Sequence, residues 1–224
     1  MKISEDQRHV VYTDYQEYLK HQAMRRNVLS EDNPAIFDPD DHPWIVEDLE
    51  LFYRFIRPDW FVLDVGCRSG WSCLRMQHDG YPNAIGIDVQ YDNIVFGRAW
   101  GAPVELADAH DLPFADDTFD AIFNRSALEH FFDPDKVLAE CYRVLKPDGV
   151  LFLVAPVDEG ITEFEFAHAH AFSTDQVLEM VARFQRLYLK DNGREVVYVG
   201  KKAEKAKRGL GQLVQGLWYL LRGK

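Results

Sequence analysis

Basic residues are scarce in this chain. Its 25 lysines and arginines stand against 37 acids, a formal net charge of −12 over 224 residues. That balance argues against a surface that binds nucleic acid. Cysteine is scarcer still: Cys67, Cys73 and Cys141 make an odd number with no C-x-x-C pair. Neither a disulfide framework nor a cysteine zinc site is expected, and buried free thiols are. No run of about 18 apolar residues occurs, so no membrane-spanning helix is expected. Residues 1–6 lack an apolar signal core, which predicts a cytoplasmic protein. The dinucleotide fingerprint G-x-G-x-x-G is missing as well. Counted from Gly66 it needs glycines at 68 and 71, and the chain has Arg68 and Trp71 there. A nicotinamide or flavin site is therefore not expected.

What is present is organised around Phe61–Gly70. Phe61, Val62, Leu63, Asp64 and Val65 form a short apolar run holding one acid. It enters a turn with Gly66 and Gly70, and a helix is predicted from Trp71 to about His78. Strand, glycine turn and helix make a corner where unpaired N–H groups can face a polar ligand. Ala84–Asp88 reads as a second short strand ending in an acid, placed to accept ribose hydroxyls. Val104–Ala107 reads as a third strand, and a fourth lies within Asp117–Asn124. Asp133-Pro134 opens a helix that closes at Arg143-Val144-Leu145-Lys146-Pro147-Asp148-Gly149. A turn at Pro147–Gly149 then leads into a buried strand over Val150–Pro156. Ser173 or Thr174 caps a further helix. Two strand-like runs, 184–190 and 194–200, are joined by Asp191-Asn192-Gly193, a hairpin signal.

Four of these blocks, in this order, resemble class I S-adenosylmethionine-dependent methyltransferases. Asp64, Gly66 and Gly70 match motif I, D-x-G-x-G-x-G, with Arg68 in place of the middle glycine. Ala107-Asp108-Ala109-His110-Asp111-Leu112-Pro113-Phe114 is similar to the family's A-D-A-x-x-L-P-F segment. Phe119-Asp120-Ala121-Ile122 resembles its fourth strand, and Arg143–Gly149 its R-V-L-K-P-G-G signature. The resemblance implies a Rossmann-like α/β sandwich with a mostly parallel seven-stranded sheet and a C-terminal antiparallel hairpin. It implies S-adenosylmethionine as cofactor and S-adenosylhomocysteine as product. It assigns the cofactor to Asp64, Gly66, Cys67, Arg68, Gly70, Asp88, Val89, Asp108, Ala109 and Asn124, with Asp108 receiving the adenine amino group. It also implies methyl transfer, in a group that mostly acts on small molecules; a small-molecule or glycan-like acceptor is expected, and a membrane-seeking tail would favour a lipid-linked one. The alternative is a degenerate module of the same fold in which Arg68 fills the place of the cofactor's amino-acid end.

Three regions are expected: a helical cap over 1–58, the methyltransferase core over 59–200, and a basic amphipathic tail over 201–224. In the cap, Tyr12, Tyr15, Tyr18 and Leu19 recur at helical spacing, and a second helix is predicted from Trp44 to Ile56. Tyr12 and Tyr15 are candidates for substrate contact or plain packing. From Gly200 to Lys224 the net charge is +6, leaving −18 for the rest. The tail could dock on its own domain, on a partner such as a second copy of the chain, or peripherally on an anionic membrane at its inner face. His130 and His170 are candidates for a general base. His168, alternating with His170, is a candidate for substrate contact. Two imidazoles without a nearby acid make a poor metal site, so no metal is expected.

Overall fold

The computed structural model describes residues 2–3, 10–12, 14–24, 43–157 and 168–203. In chain order these form β1 (Lys2–Ile3), β2 (Val10–Val11), α1 (Tyr15–Met24), α2 (Pro43–Tyr53), β3 (Val62–Val65) and α3 (Trp71–His78). Then follow β4 (Ala84–Asp88), α4 (Tyr91–Ala99), β5 (Val104–Leu106), β6 (Phe119–Arg125), a 3-10 turn (Leu128–His130) and α5 (Pro134–Val144). The last elements are β7 (Leu145–Pro156), α6 (Thr174–Met180), β8 (Gln185–Asp191) and β9 (Glu195–Lys201).

Seven strands form one sheet in the order β5-β4-β3-β6-β7-β9-β8. Pairings from β5 to β7 are parallel, and β9 runs antiparallel to both β7 and β8. This is the expected mostly parallel sheet closed by an antiparallel hairpin. Strand order reverses between β3 and β6, which opens a crevice at the carboxyl ends of the strands.

The central strands are apolar on both faces, as a covered parallel sheet requires. Leu63, Val65, Ile122, Leu151 and Leu153 face a core shared with Val137, Leu138, Cys141 and Val144 of α5. Their neighbours Val62, Ala121, Phe123, Phe152 and Val154 face the other side, against Leu49 and Phe52 of α2 and Met76 of α3. Helix α5 is set by its start. Asp133 caps it by accepting the Lys136 N–H at 2.9 Å, and Pro134 occupies the first turn. Helix α6 carries a full capping box between Ser173 and Gln176.

The two most recognisable sequence blocks hold each other. Arg143 donates to the carbonyls of Leu112 and Phe114 at 3.0 and 2.7 Å. Glu140, paired with Arg143 at 2.7 Å, accepts the Leu112 N–H at 2.9 Å. The L-P-F loop is thus fastened to the end of α5.

Several elements depart from the sequence reading. The expected turn at Pro147–Gly149 lies inside a strand that already begins at Leu145, with a register shift between Phe119 and Ala121 on β6. Asp148 takes a left-handed φ of 67° at this bulge, and Lys146 pairs with Asp120 at 2.8 Å. Helix α2 stops at Tyr53, not Ile56, and the chain continues in tight turns, with the Phe55 N–H bonded to the Phe52 carbonyl at 2.9 Å. The pair β1–β2 has no counterpart in the sequence reading. Of the tail, Lys201 ends β9 and Lys202 is buried, donating to Asp117 at 2.8 Å. Residues 204–224, with the apolar face and most of the charge, lie outside the described residues, as do the loops at 30–34 and 38–42.

Asp133→Ala should cost about 1 kcal/mol in urea unfolding, because it strips the cap from α5 and leaves the fold in place. An unchanged midpoint would show that the cap contributes nothing here.

Candidate functional site

The turn after β3 is shaped by close approach. Gly66 has φ 78°, and a Cβ there would lie 2.7 Å from the Ala127 Cβ. The N–H groups of Gly66 and Cys67 both bond the Ile87 carbonyl at 2.9 Å. Arg68 takes the left-handed φ of 52° that suits glycine, and its side chain is exposed at the mouth of the crevice. Gly70, at φ 79°, begins α3 so close to β5 that a Cβ would meet Val104 Cγ1 at 2.3 Å.

Asp88, at the end of β4, holds this turn. Its Oδ2 accepts the Arg68 N–H at 2.9 Å, and its Oδ1 accepts from Gln90 N at 2.8 Å and Asn93 Nδ2 at 3.3 Å. Burial pushes the Asp88 carboxyl up, and these N–H donors work against that rise. A carboxylate oxygen has two lone-pair directions, so Oδ2 can accept a second hydrogen bond.

Asp108, after β5, is held differently. Its Oδ1 accepts from His110 N at 2.8 Å and lies 2.7 Å from His110 Nδ1. The Asp133 N–H donates to His110 Nε2 at 3.1 Å, which leaves the His110 proton on Nδ1, facing Asp108. The hydroxyl of Tyr15 donates to Asp108 Oδ2. Burial would raise the Asp108 pKa, but the bonds from His110 and Tyr15 outweigh it and hold it at about 2.

These residues border one cavity, lined among others by Gly66, Arg68, Asp88, Val89, Asp108 and Ala109. It measures about 60 Å³, because Tyr18 of α1 forms one wall and Tyr15 covers Asp108. Ligand pockets run to about 300 Å³ and more. A second cavity of about 390 Å³ lies across the Gly66–Arg68 turn. Trp44, Trp71 and Phe123 give it apolar walls, and Arg68, Arg125 and Asp64 give it charge. Arg125 is paired with Asp48 of α2 at 2.7 Å.

Of the residues expected at the cofactor, Gly66, Arg68, Asp88, Val89, Asp108 and Ala109 converge on the first cavity, and Asp64 and Cys67 line the second. Gly70 acts at the helix start. Asn124 lines neither cavity: it is buried, and its side chain donates to the Val65 carbonyl at 2.9 Å, tying β6 to β3. Tyr15 reaches Asp108, whereas Tyr12 packs edge-on against Tyr18 at 5.4 Å. His130 lines the first cavity. His170 does not. Its Nε2–H is given to the Phe131 carbonyl at 2.9 Å, its ring stacks on Phe172, and it borders a separate depression beside α6.

The expected alternation of His168 and His170 on one face fails because the chain bends at Ala169. His168 turns inward to Glu129, with Nε2 3.9 Å from Oε1. The premise that these imidazoles lack an acid is therefore corrected. His110, Tyr18 and Glu129 were missed as site residues. His110 and Glu129 sit inside recognised blocks, but nothing in spacing alone marks which side chain turns inward.

The sheet and its helices form the Rossmann-like fold seen in S-adenosylmethionine-dependent methyltransferases. Residues 63–153, less than half of the chain, match the family described as a methyltransferase domain. The 2-methyl-6-phytyl-1,4-hydroquinone methyltransferase 1 of Oryza sativa subsp. japonica is 31% identical over 130 residues, 56% of this chain and 38% of that protein. A tRNA U34 carboxymethyltransferase of Sulfurimonas denitrificans is 28% identical over 155 residues, 58% of this chain and 52% of that protein. The chain thus spans about half, or less, of the length of these curated relatives. A solved S-adenosylmethionine-dependent methyltransferase from Methanosarcina mazei superposes with a TM-score of 0.62 at 21% identity, covering 69% of this chain and 98% of that one. Among the described residues no helix is long and apolar enough to cross a membrane.

Asp64 gives the domain a pH dependence. Burial pushes its carboxyl up to about 7, against the Ser72 hydroxyl that donates to it. The folded state then holds this proton more tightly than the unfolded chain, whose value is about 3.9. The contribution is full below about pH 4 and is lost as pH rises through about 7. Asp64→Asn should flatten the fall in stability across that window by roughly 1 kcal/mol per pH unit, read by urea unfolding. Parallel slopes for the two proteins would contradict it.

Proposed function

We propose that this chain transfers the methyl group of S-adenosylmethionine to a small-molecule, glycan-like or lipid-linked acceptor by in-line displacement. The observation that carries this reading is the convergence of the Gly66–Arg68 turn with two carboxylates, Asp88 and Asp108, from neighbouring strand ends. The cofactor, when bound, supplies a methyl already activated on sulfonium sulfur. Asp88 would hold the ribose hydroxyls through its remaining lone pairs. Asp108 would meet the adenine amino group once Tyr15 releases it. The amino-acid end would lie along the 66–70 turn, beside the larger cavity. That cavity's apolar walls and two guanidinium groups suit an acceptor with a ring or chain and an acidic or hydroxyl group. His130, which lines the first cavity with Gly66, would take the proton of a hydroxyl acceptor that reaches it.

The rice relative's named acceptor, a phytyl-bearing hydroquinone, supports a small lipid-like substrate. The tRNA-named relative supports RNA, and the net charge of −12 weighs against RNA here. A second reading, a methyltransferase fold that no longer turns over, draws on the contact of Tyr15 with Asp108, which closes the adenine end.

Calorimetric titration with S-adenosylmethionine and S-adenosylhomocysteine separates the two. Saturable binding of both, weakened at least about tenfold in Asp88→Ala, supports transfer, since a hydrogen bond to a charged group contributes about 1.5–3 kcal/mol. No binding at millimolar ligand would leave the non-catalytic reading. Tyr15→Phe removes the competing hydroxyl and keeps the ring. It should tighten S-adenosylhomocysteine binding by roughly threefold or more, and weaker binding would show that Tyr15 assists the cofactor.

A further inference from the structure

The 3-10 turn after β6 and the segment at 168–170 bring together three donors. Glu129 is buried, with Oε1 3.8 Å from His130 Nε2 and 3.9 Å from His168 Nε2. One ligand atom from each of the three residues lies within 4.8 Å of the others, and the two imidazole rings are 4.9 Å apart. The grouping is built by tertiary structure. The Glu129 carbonyl accepts the Ala169 N–H at 2.7 Å and the His170 N–H at 3.1 Å, which fastens the segment carrying His168 across the 3-10 turn.

We propose that Glu129, His130 and His168 bind a divalent transition-metal cation at the edge of the cavity that His130 lines. Two imidazoles and a carboxylate are a donor set suited to zinc and its first-row neighbours. Metal–ligand bonds of about 2.0–2.2 Å hold donor atoms roughly 3–4 Å apart, so side-chain rotation alone closes the present spacing. Burial of the carboxylate favours a cation beside it. Three protein ligands leave a coordination position open, and His130 directs it toward the cavity. An oxygen acceptor placed there would lose its proton more readily. That last consequence rests on the methyl-transfer reading; the metal site itself does not.

The test uses the full chain stripped of metal with a chelator, then titrated with Co²⁺ alone and followed by visible absorption. Zn²⁺ is measured separately by equilibrium dialysis. One Co²⁺ per chain with visible ligand-field bands is expected, weakened at least about tenfold in His168→Ala and in His130→Ala. His170→Ala, whose ring is turned elsewhere, should bind as the wild type does. His130 is partly exposed, so His130→Ala decides the matter should His168→Ala fail to fold. No Co²⁺ binding by the wild type, or equal binding by His130→Ala, would overturn the site. Titration of the same metal-free protein with S-adenosylhomocysteine keeps a failed metal site distinct from a failed cofactor site.

Discussion

The bond from the Arg68 N–H to the Asp88 carboxylate, at 2.9 Å, is the constraint on which the crevice depends. The turn it closes contains left-handed backbone at Gly66, Arg68 and Gly70, a conformation costly for any residue with a Cβ. Asp88 repays that cost by satisfying turn and helix together, since its other oxygen takes donors from Gln90 and Asn93 at the start of α4. With the turn held, Gly66 can lie against Ala127, and Gly70 can start α3 against Val104. The site's shape is a product of this packing, and the same carboxylate remains accessible to a ligand.

The two acids at the strand ends are treated in opposite ways. Asp88 is buried and pushed up, held by backbone and amide donors. Asp108 is held down by His110 and by Tyr15, a residue 93 positions away in the chain. His110 itself is oriented by the Asp133 N–H at the head of α5. The Asp108 end of the crevice is therefore coupled to both α1 and α5, with a phenol bonded to one oxygen of its carboxylate. Burial pushes the thiols of Cys67 and Cys73 well above the ordinary range, which keeps them protonated.

Much of the fold was legible because its signals are local. Apolar runs of four to seven residues ended by glycine or acid marked β3, β4 and β6, and Asp133-Pro134 and Ser173 marked helix starts by cap chemistry. Asp191-Asn192-Gly193 marked the hairpin, and Gly193 has the left-handed φ of 77° that such a turn uses. The bulge at Lys146–Gly149 was not legible. A proline–glycine pair reads as a turn, yet here pairing of Leu145 with Phe119 draws the segment into the strand. Lys202, counted with the basic tail, has its ammonium buried against Asp117 and the Leu145 carbonyl, a contact between distant segments.

The sequence by itself determined the succession of core strands from β3 to β9, the glycine turn and the two acids that face the crevice. These follow from backbone conformation and from spacing within single elements. Only the tertiary structure decided that Tyr15 lies on Asp108, that Asn124 ties strands together, and that His168 joins Glu129 and His130 while His170 turns away. Those are contacts between segments far apart in the chain. They depend on which face of a loop is drawn into the core, and a bend at one residue, such as Ala169, reverses that choice without leaving a mark in the local pattern.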